Sequence, residues 1–248
     1  MPSIDLVPVL LCLFVGAALY TSVGHGGATV YTAILTLFAF SMAPLVTLIL
    51  VMNIVAATIA WVQFRQAGFL RWRLLLPFVI SSVPFAYLGG SLPITGRAQT
   101  ILLGVVLLVA AIRLLFFPKP PSFPVPSTGA TYYVVAFVLG GVLGFLAGAT
   151  GIGGGIFLSP ILIAVGWANV KEAASVASAF IVLNSLSGLA ARLPRTPIDA
   201  QFVAPFIAVV VAGALIGSFM GARRLPLRSV QVALGLVLLI SATKNLLS

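Results

Sequence analysis

A chain of 248 residues that is 61% hydrophobic and 6% charged, with a formal charge of +10, lacks the polar surface of a soluble domain, in which roughly 25% of residues are charged. Its acidic residues are Asp5, Glu172 and Asp199, with one histidine, His25, and one cysteine, Cys12; this excludes a carboxylate metal cage, an acid/base carboxylate pair, a disulfide framework and a Cys/His zinc site. The basic residues stand singly or in short clusters between long apolar runs, the pattern of loop charges that orient a membrane protein rather than of a nucleic-acid surface.

Crossing about 30 Å of hydrocarbon takes about 20 apolar helical residues. Runs bounded by charge, Pro or Gly predict spans at 4–22, 43–63, 72–92 and 98–117, with a short run at 28–40 after the first. Prolines at 118, 120, 121, 124 and 126 then mark a linker. A second series follows at 131–149, a short run at 155–166, then 171–191, 199–220 and 227–247. The expected fold is an all-α polytopic membrane protein of about eight full spans plus two short or re-entrant helices. It divides into an N-terminal repeat at 1–117, a Pro-rich linker at 118–130 and a C-terminal repeat at 131–248, forming one integral membrane domain. No cleavable signal is expected, because the first residues carry Asp5 in place of a basic region.

The two series resemble each other. Gly24-His25-Gly26-Gly27-Ala28 stands where Gly151-Ile152-Gly153-Gly154-Gly155 stands, at an offset of 127, and each cluster precedes a short run. Beyond it the offset is 131, matching Asn53 with Asn184, Gly104 with Gly235 and Arg113 with Lys244. Order and spacing together predict a duplication.

Loop charge predicts how the halves are oriented. If they are inverted, nine basic residues share one side: Arg65, Arg71, Arg73, Arg113, Lys119, Lys171, Arg223, Arg224 and Arg228. Four lie on the other: Arg97, Arg192, Arg195 and Lys244. A parallel arrangement gives five against four for the loops between spans and orients nothing. The positive-inside rule therefore predicts inverted repeats, and places both termini outside if each first run and its short partner contribute an even number of crossings.

A Gly-interrupted hydrophobic segment at corresponding places in inverted repeats is a pointer to a transport site. Glycine costs a helix about 1 kcal/mol relative to alanine at each interior position, so a cluster breaks it. Broken backbone at membrane depth is tolerated where it is buried in protein or lines a polar cavity. The short runs begin at these breaks, and their free N–H groups and positive dipole ends suit a small anion. The expected substrate-binding set is Thr21, Ser22, Gly24, His25, Gly26, Gly27, Asn53, Thr150, Gly151, Gly153, Gly154, Gly155 and Asn184. His25 is the candidate proton carrier, and Ser175 and Ser178 are lesser candidates. The competing expectation is helix packing by small residues, which Gly140 with Gly144 and Gly217 with Gly221 are read as serving. A neutral His25 bonded to a backbone carbonyl is the plain alternative for that residue. Trp61, Trp72 and Trp167 read as interfacial anchors, Arg65, Arg113 and Lys244 as side chains reaching to the interface, and Cys12 as a lipid- or helix-facing small residue. No metal site and no cofactor is expected.

Two halves, each with a Gly-x-Gly-Gly-[Gly/Ala] cluster after its first apolar run, resemble the TauE/SafE family of membrane transporters. The resemblance runs from about Val7 to Leu247, and its most specific part is Gly148-Ala-Thr-Gly-Ile-Gly-Gly-Gly-Ile-Phe-Leu-Ser-Pro160. Ser22-Val-Gly-His-Gly-Gly-Ala-Thr29 is a looser match, with Ala28 where a glycine is expected. The resemblance implies a secondary transporter of the bacterial inner membrane that exports sulfite or an organosulfonate. Its partners are then a small anionic substrate and the lipid bilayer, with no nucleic acid, and a homodimer through small-residue faces is left open. A passive anion channel is the alternative, since the same dipoles could line a pore. A non-transporting scaffold subunit has no extramembrane domain to recruit partners. An intramembrane enzyme needs a nucleophile with a base, and would regain standing if His25 met a serine.

Overall fold

The computed structural model describes residues 6–38, 42–92, 129–192 and 200–247, with eight further positions between 101 and 116. The linker as far as residue 128, Asp5, Arg97, Arg113, Lys119, Arg195 and Asp199 lie outside the described residues, as does much of the predicted span 98–117. All eight described positions of that span are helical.

The described helices are α1 (Leu6–Ser22), α2 (Ala28–Leu37), α3 (Met42–Gln66), α4 (Trp72–Ser91), α5 (Ala130–Thr150), α6 (Gly155–Ala164), α7 (Val170–Arg192), α8 (Ala200–Phe219) and α9 (Leu227–Leu247), with a π-helical turn at Met220–Arg224 after α8. Five are long and apolar enough to cross a membrane, those at Thr47–Gln66, Trp72–Ser91, Ala130–Thr150, Val170–Arg192 and Val203–Arg224. Helices α1 and α9 are apolar over shorter stretches. Helices α2 and α6 have 10 residues each, so at 1.5 Å per residue they reach about half the hydrocarbon thickness. These are the two short runs that the sequence predicts.

Helices α3 and α7 lie at the centre, and α7 buries Ser175, Ser178, Asn184 and Ser185 among its apolar residues. The outer faces expose Leu11 and Val15 of α1, Ile80 of α4 and Val134 and Val138 of α5, an apolar surface suited to lipid. Helix α4 packs on α5, and α1 on α8. Glycines at four-residue spacing let the backbones approach: a Cβ added at Gly140, Gly144 or Gly148 would run into the backbone of Phe78, Ser82 or Ala86 on α4. On the other side, Gly213, Gly217 and Gly221 stand in the same relation to Phe14, Ala18 and Ser22. The packing role expected of Gly140, Gly144, Gly217 and Gly221 is what these contacts give them.

The contacts recur in reciprocal pairs across the offsets of 127 and 131. Gly144 abuts Ser82, while Gly213, at the place of Ser82, abuts Ala17, at the place of Gly144. Gly148 abuts Ala86, while Gly217 abuts Thr21. Gly235 abuts Leu115, while Gly104 abuts Leu246. Helices α3 and α7 run antiparallel, with Asn53 beside Ser185, Ala57 beside Ile181 and Phe64 beside Ala174.

Basic residues collect at one end of the bundle. Arg71 meets Glu172 at 3.5 Å, Lys171 Nζ donates to the Ala222 carbonyl at 3.2 Å, and Arg223 donates to Gln66 Oε1 at 3.1 Å. Arg192 lies at the other end of α7, roughly 30 Å away at the helical rise. Arg65 sits over Trp61 and Trp72, 6.0 Å from each ring. Trp167 differs from the expected anchor: it is 5% exposed and packs against Tyr132 and Phe78, because the turn after α6 folds under the end of the bundle.

Candidate functional site

The first break is the turn Val23–Gly27 between α1 and α2. Gly24 and Gly27 have φ of 77° and 100°, in the region that favours glycine. A side chain at Gly24 would also collide with the Ala174 backbone of α7. The His25 amide closes the turn onto the Tyr20 carbonyl at 2.9 Å. The second break follows α5, whose end is capped by Gly151 at φ 73°. Gly153 and Gly154 continue it at φ 81° and 69°, and the Gly155 amide turns back to the Gly153 carbonyl at 2.9 Å.

The breaks meet at Asn53, which is 1% exposed in the middle of α3. Its Oδ1 accepts the Ala28 amide, the first of α2, at 3.1 Å. Its Nδ2 donates to Ser185 Oγ of α7 at 3.0 Å. A Cβ on Gly26 would overlap Asn53 Oδ1, and one on Gly153 would lie 2.7 Å from Asn53 Nδ2. Gly26 and Gly153 are the matched positions of the two clusters, so one carboxamide sits between them.

Beside it, a small cavity is lined by Tyr20, His25, Gly26, Gly27, Ala28, Thr29 and Asn53 from the first part of the chain and by Ile152, Ile156 and Ile181 from the second. Ile152 stands at the place of His25 in the second cluster, so the matched positions give the lining one polar and one apolar side chain. His25 is 1% exposed. Its Nε2 lies 3.1 Å from Ser159 Oγ of α6, and that hydroxyl donates to the Gly155 carbonyl at 2.9 Å. The Val23 and Gly155 carbonyls also lie beside the ring, and Nδ1 makes no hydrogen bond.

The remaining predicted residues take other places. Thr21 Oγ1 donates to the Ala17 carbonyl at 2.7 Å and Ser22 Oγ to Leu19 at 2.6 Å, both along α1. Thr150 Oγ1 donates to Leu146 at 2.6 Å and accepts the Ile152 amide at 3.4 Å, finishing α5. Gly154 packs on Ala147, and Gly155 on Ile181 and Ala177. Asn184 Nδ2 donates to the Phe180 carbonyl of its own helix at 2.8 Å, and its Oδ1 is buried with no partner. Ser178 donates to the Ser175 carbonyl. Among the described residues, no three of His, Cys, Asp or Glu come together as a metal site.

Two participants escaped the sequence reading. Ser159 lies one turn into α6, at the place of Thr32, and both hydroxyls donate to the carbonyl four residues back; that match is the signal that could have found it. Ser185 adjoins Asn184, but nothing in the sequence says which of the two faces Asn53. Arg192 also has a role not foreseen: its Nη2 donates to the Gly148 and Ala149 carbonyls at 2.9 Å each, placing a cation at the C-terminus of α5.

The profile of the family described as sulfite exporter TauE/SafE matches residues 9–245. The chain belongs to the TauE/SafE family. A relative in Sinorhizobium fredii, named "Probable membrane transporter protein y4hK", is 30% identical over 245 residues, spanning 98% of each chain. No solved structure matches. This TauE/SafE protein is therefore a membrane transporter by family and not an enzyme. The imidazole–hydroxyl contact that would have revived the enzyme reading is present in His25 and Ser159. The carboxylate of Glu172, which could have oriented such a pair, is instead bonded to the Asn169 amide and Arg71 at the end of α7.

Proposed function

We propose that the protein is a secondary transporter that moves a small sulfur oxyanion, sulfite or an organosulfonate, outward across the bacterial inner membrane. The anion binds at backbone N–H groups of the two glycine breaks. The observation that carries this reading is the meeting of Gly26 and Gly153 around one carboxamide in the buried centre of the bundle. Two half-length helices start there, so their dipoles and first amides supply positive potential. The nearest residues bring no carboxylate to repel an anion. The polar groups of the lining, among them His25 and Asn53, suit a sulfur oxyanion headgroup, and its isoleucines suit a short carbon chain. The choice of sulfur oxyanion and the outward direction rest on the family description, and the bacterial inner membrane also on the bacterial relative.

The halves are read as inverted repeats, 1–117 and 131–248, with about eight spans. Three observations support this. The helix contacts are reciprocal under the sequence offsets. The matched helices α3 and α7 run antiparallel, as they must if the two-fold axis lies in the membrane plane. The Arg65–Arg73 loop meets Lys171 and Arg223, with Arg192 at the far end, which is the charge partition of the inverted arrangement. His25, the cavity's titratable imidazole, is read as the proton-coupling residue. The glycine faces of α5 and α8, through which a homodimer was expected, are taken up inside the chain by α4 and α1, and sizing in lipid reads the oligomeric state.

Binding of sulfite, sulfate, thiosulfate, sulfoacetate and chloride to the purified protein, measured by calorimetry, tests the site. Selective binding of one sulfur oxyanion, lost in Gly26→Val and Gly154→Val, is expected. Binding indifferent to both changes would return the glycines to helix packing.

A further inference from the structure

The Ala28 amide that the anion is expected to use already has a partner, the Asn53 side chain. That bond is unusual in three respects. It crosses from α3 to the first residue of a broken helix. The same carboxamide reaches on to Ser185 in the other half. And its oxygen lies where a Cβ on Gly26 would be, so the break leaves room for this group and little else. The matched residue Asn184 does none of this: its amide bonds its own helix and its oxygen has no partner. The asymmetry shows that Asn53 is not placed by the requirements of the repeat.

We propose that the Asn53 carboxamide is a built-in stand-in for the substrate oxyanion. Its oxygen satisfies the first amide of α2 and ties the two breaks together, and the incoming anion displaces it from the Ala28 N–H. A buried amide must have an acceptor, and a neutral carbonyl oxygen is the weaker one, since charge-assisted bonds are roughly twice as strong. The exchange therefore favours an anion and disfavours a neutral ligand of the same size. Release of Asn53 also frees its bond to Ser185, so ligand entry loosens the link between the first break and α7. Ligand binding and the loosening of the two halves are one event.

This inference rests on the paired breaks being the anion site, and it reverses the expected sign of one substitution. If Asn53 donates to the substrate, its removal weakens binding; if it competes with the substrate, its removal strengthens binding. The test is sulfite titration by calorimetry on the full chain in lipid nanodiscs, with Asn53→Ala, Asn53→Asp and Gly26→Val in parallel. Asn53→Ala is expected to bind sulfite about tenfold more tightly, the equivalent of one net hydrogen bond no longer in competition. Asn53→Asp keeps the shape of the side chain and fixes a charged oxygen at the amide, so sulfite binding should be lost. Equal or weaker binding in Asn53→Ala, or undiminished binding in Asn53→Asp, alongside loss in Gly26→Val, overturns the stand-in and leaves the site in place. Absence of sulfite binding in both wild type and Asn53→Ala, or binding that Gly26→Val leaves intact, overturns the site and the stand-in together.

Discussion

Gly153→Ala separates a glycine needed for its backbone from one needed for its neighbours. Gly153 and Gly68 have nearly the same φ, 81° and 83°. A Cβ on Gly68 meets nothing within 4 Å, whereas one on Gly153 would lie 2.7 Å from Asn53 Nδ2, 2.8 Å from Ser185 Oγ and 2.9 Å from Ile181 Cγ2. Left-handed backbone costs a side-chain-bearing residue about 1–2 kcal/mol, and that is the whole expected cost of Gly68→Ala. Overpacking in a closed core adds about 1–3 kcal/mol, so Gly153→Ala should cost about 2–5 kcal/mol. Thermal unfolding in matched nanodiscs reads the difference as a clearly larger fall in Tm for Gly153→Ala. A second change that opens the space, Ser185→Ala, should recover part of the loss in a double-mutant cycle. Equal shifts for the two single variants, or no coupling to Ser185, would refute the contact between the second break and the Asn53–Ser185 bond.

If His25 carries the coupled proton, transport by the wild type depends on pH through its imidazole; His25→Gln should flatten that dependence, and an unchanged profile in proteoliposome flux would remove His25 from coupling. Arg192→Met should lower Tm by removing two charge-assisted bonds to the terminal carbonyls of α5, a loss of about 2 kcal/mol, with Arg192→Lys recovering part of it. An unaltered Tm in Arg192→Met would show that the α5 end is held by Gly151 and Thr150 alone.

What was legible in the sequence follows from the bilayer as solvent. A helix in lipid must be long, apolar and internally bonded, so the five helices long enough to cross, both half-length helices and the glycines before these are written in local composition. Helix packing through Gly140, Gly144, Gly217 and Gly221 was legible for the same reason, since four-residue spacing puts them on one face. Contacts between the halves were not. His25 and Ser159 are 134 residues apart, Asn53 and Ser185 are 132 apart, and no periodicity tells which of Asn184 and Ser185 turns toward α3. Trp167 looked like an interfacial ring because a short polar turn follows α6, but that turn packs beneath Tyr132 and Phe78.

The matched positions differ where the two glycine breaks meet, and the proposed two-fold arrangement would explain why. A contact such as Gly144 on Ser82 is made twice, once in each direction, so both copies must keep small residues or the bundle fails to close. A cavity at the meeting point of the breaks is built once, with His25 and Asn53 lining it from one part of the chain and Ile152, Ile156 and Ile181 from the other. His25 can therefore stand where the second cluster has Ile152, and Asn53 can reach Ser185 while Asn184 stays on its own helix, with no penalty to the scaffold. Restoring symmetry in the cavity is then a test of which differences matter to the ligand. Ile152→His replaces one of the three lining isoleucines with a second imidazole; it should leave the helix packing intact, hold a small inorganic anion, and disfavour a sulfonate whose carbon chain needs the isoleucines. Competition between sulfite and sulfoacetate for binding measures that shift directly, and unchanged relative affinities would mean that Ile152 does not contact the ligand.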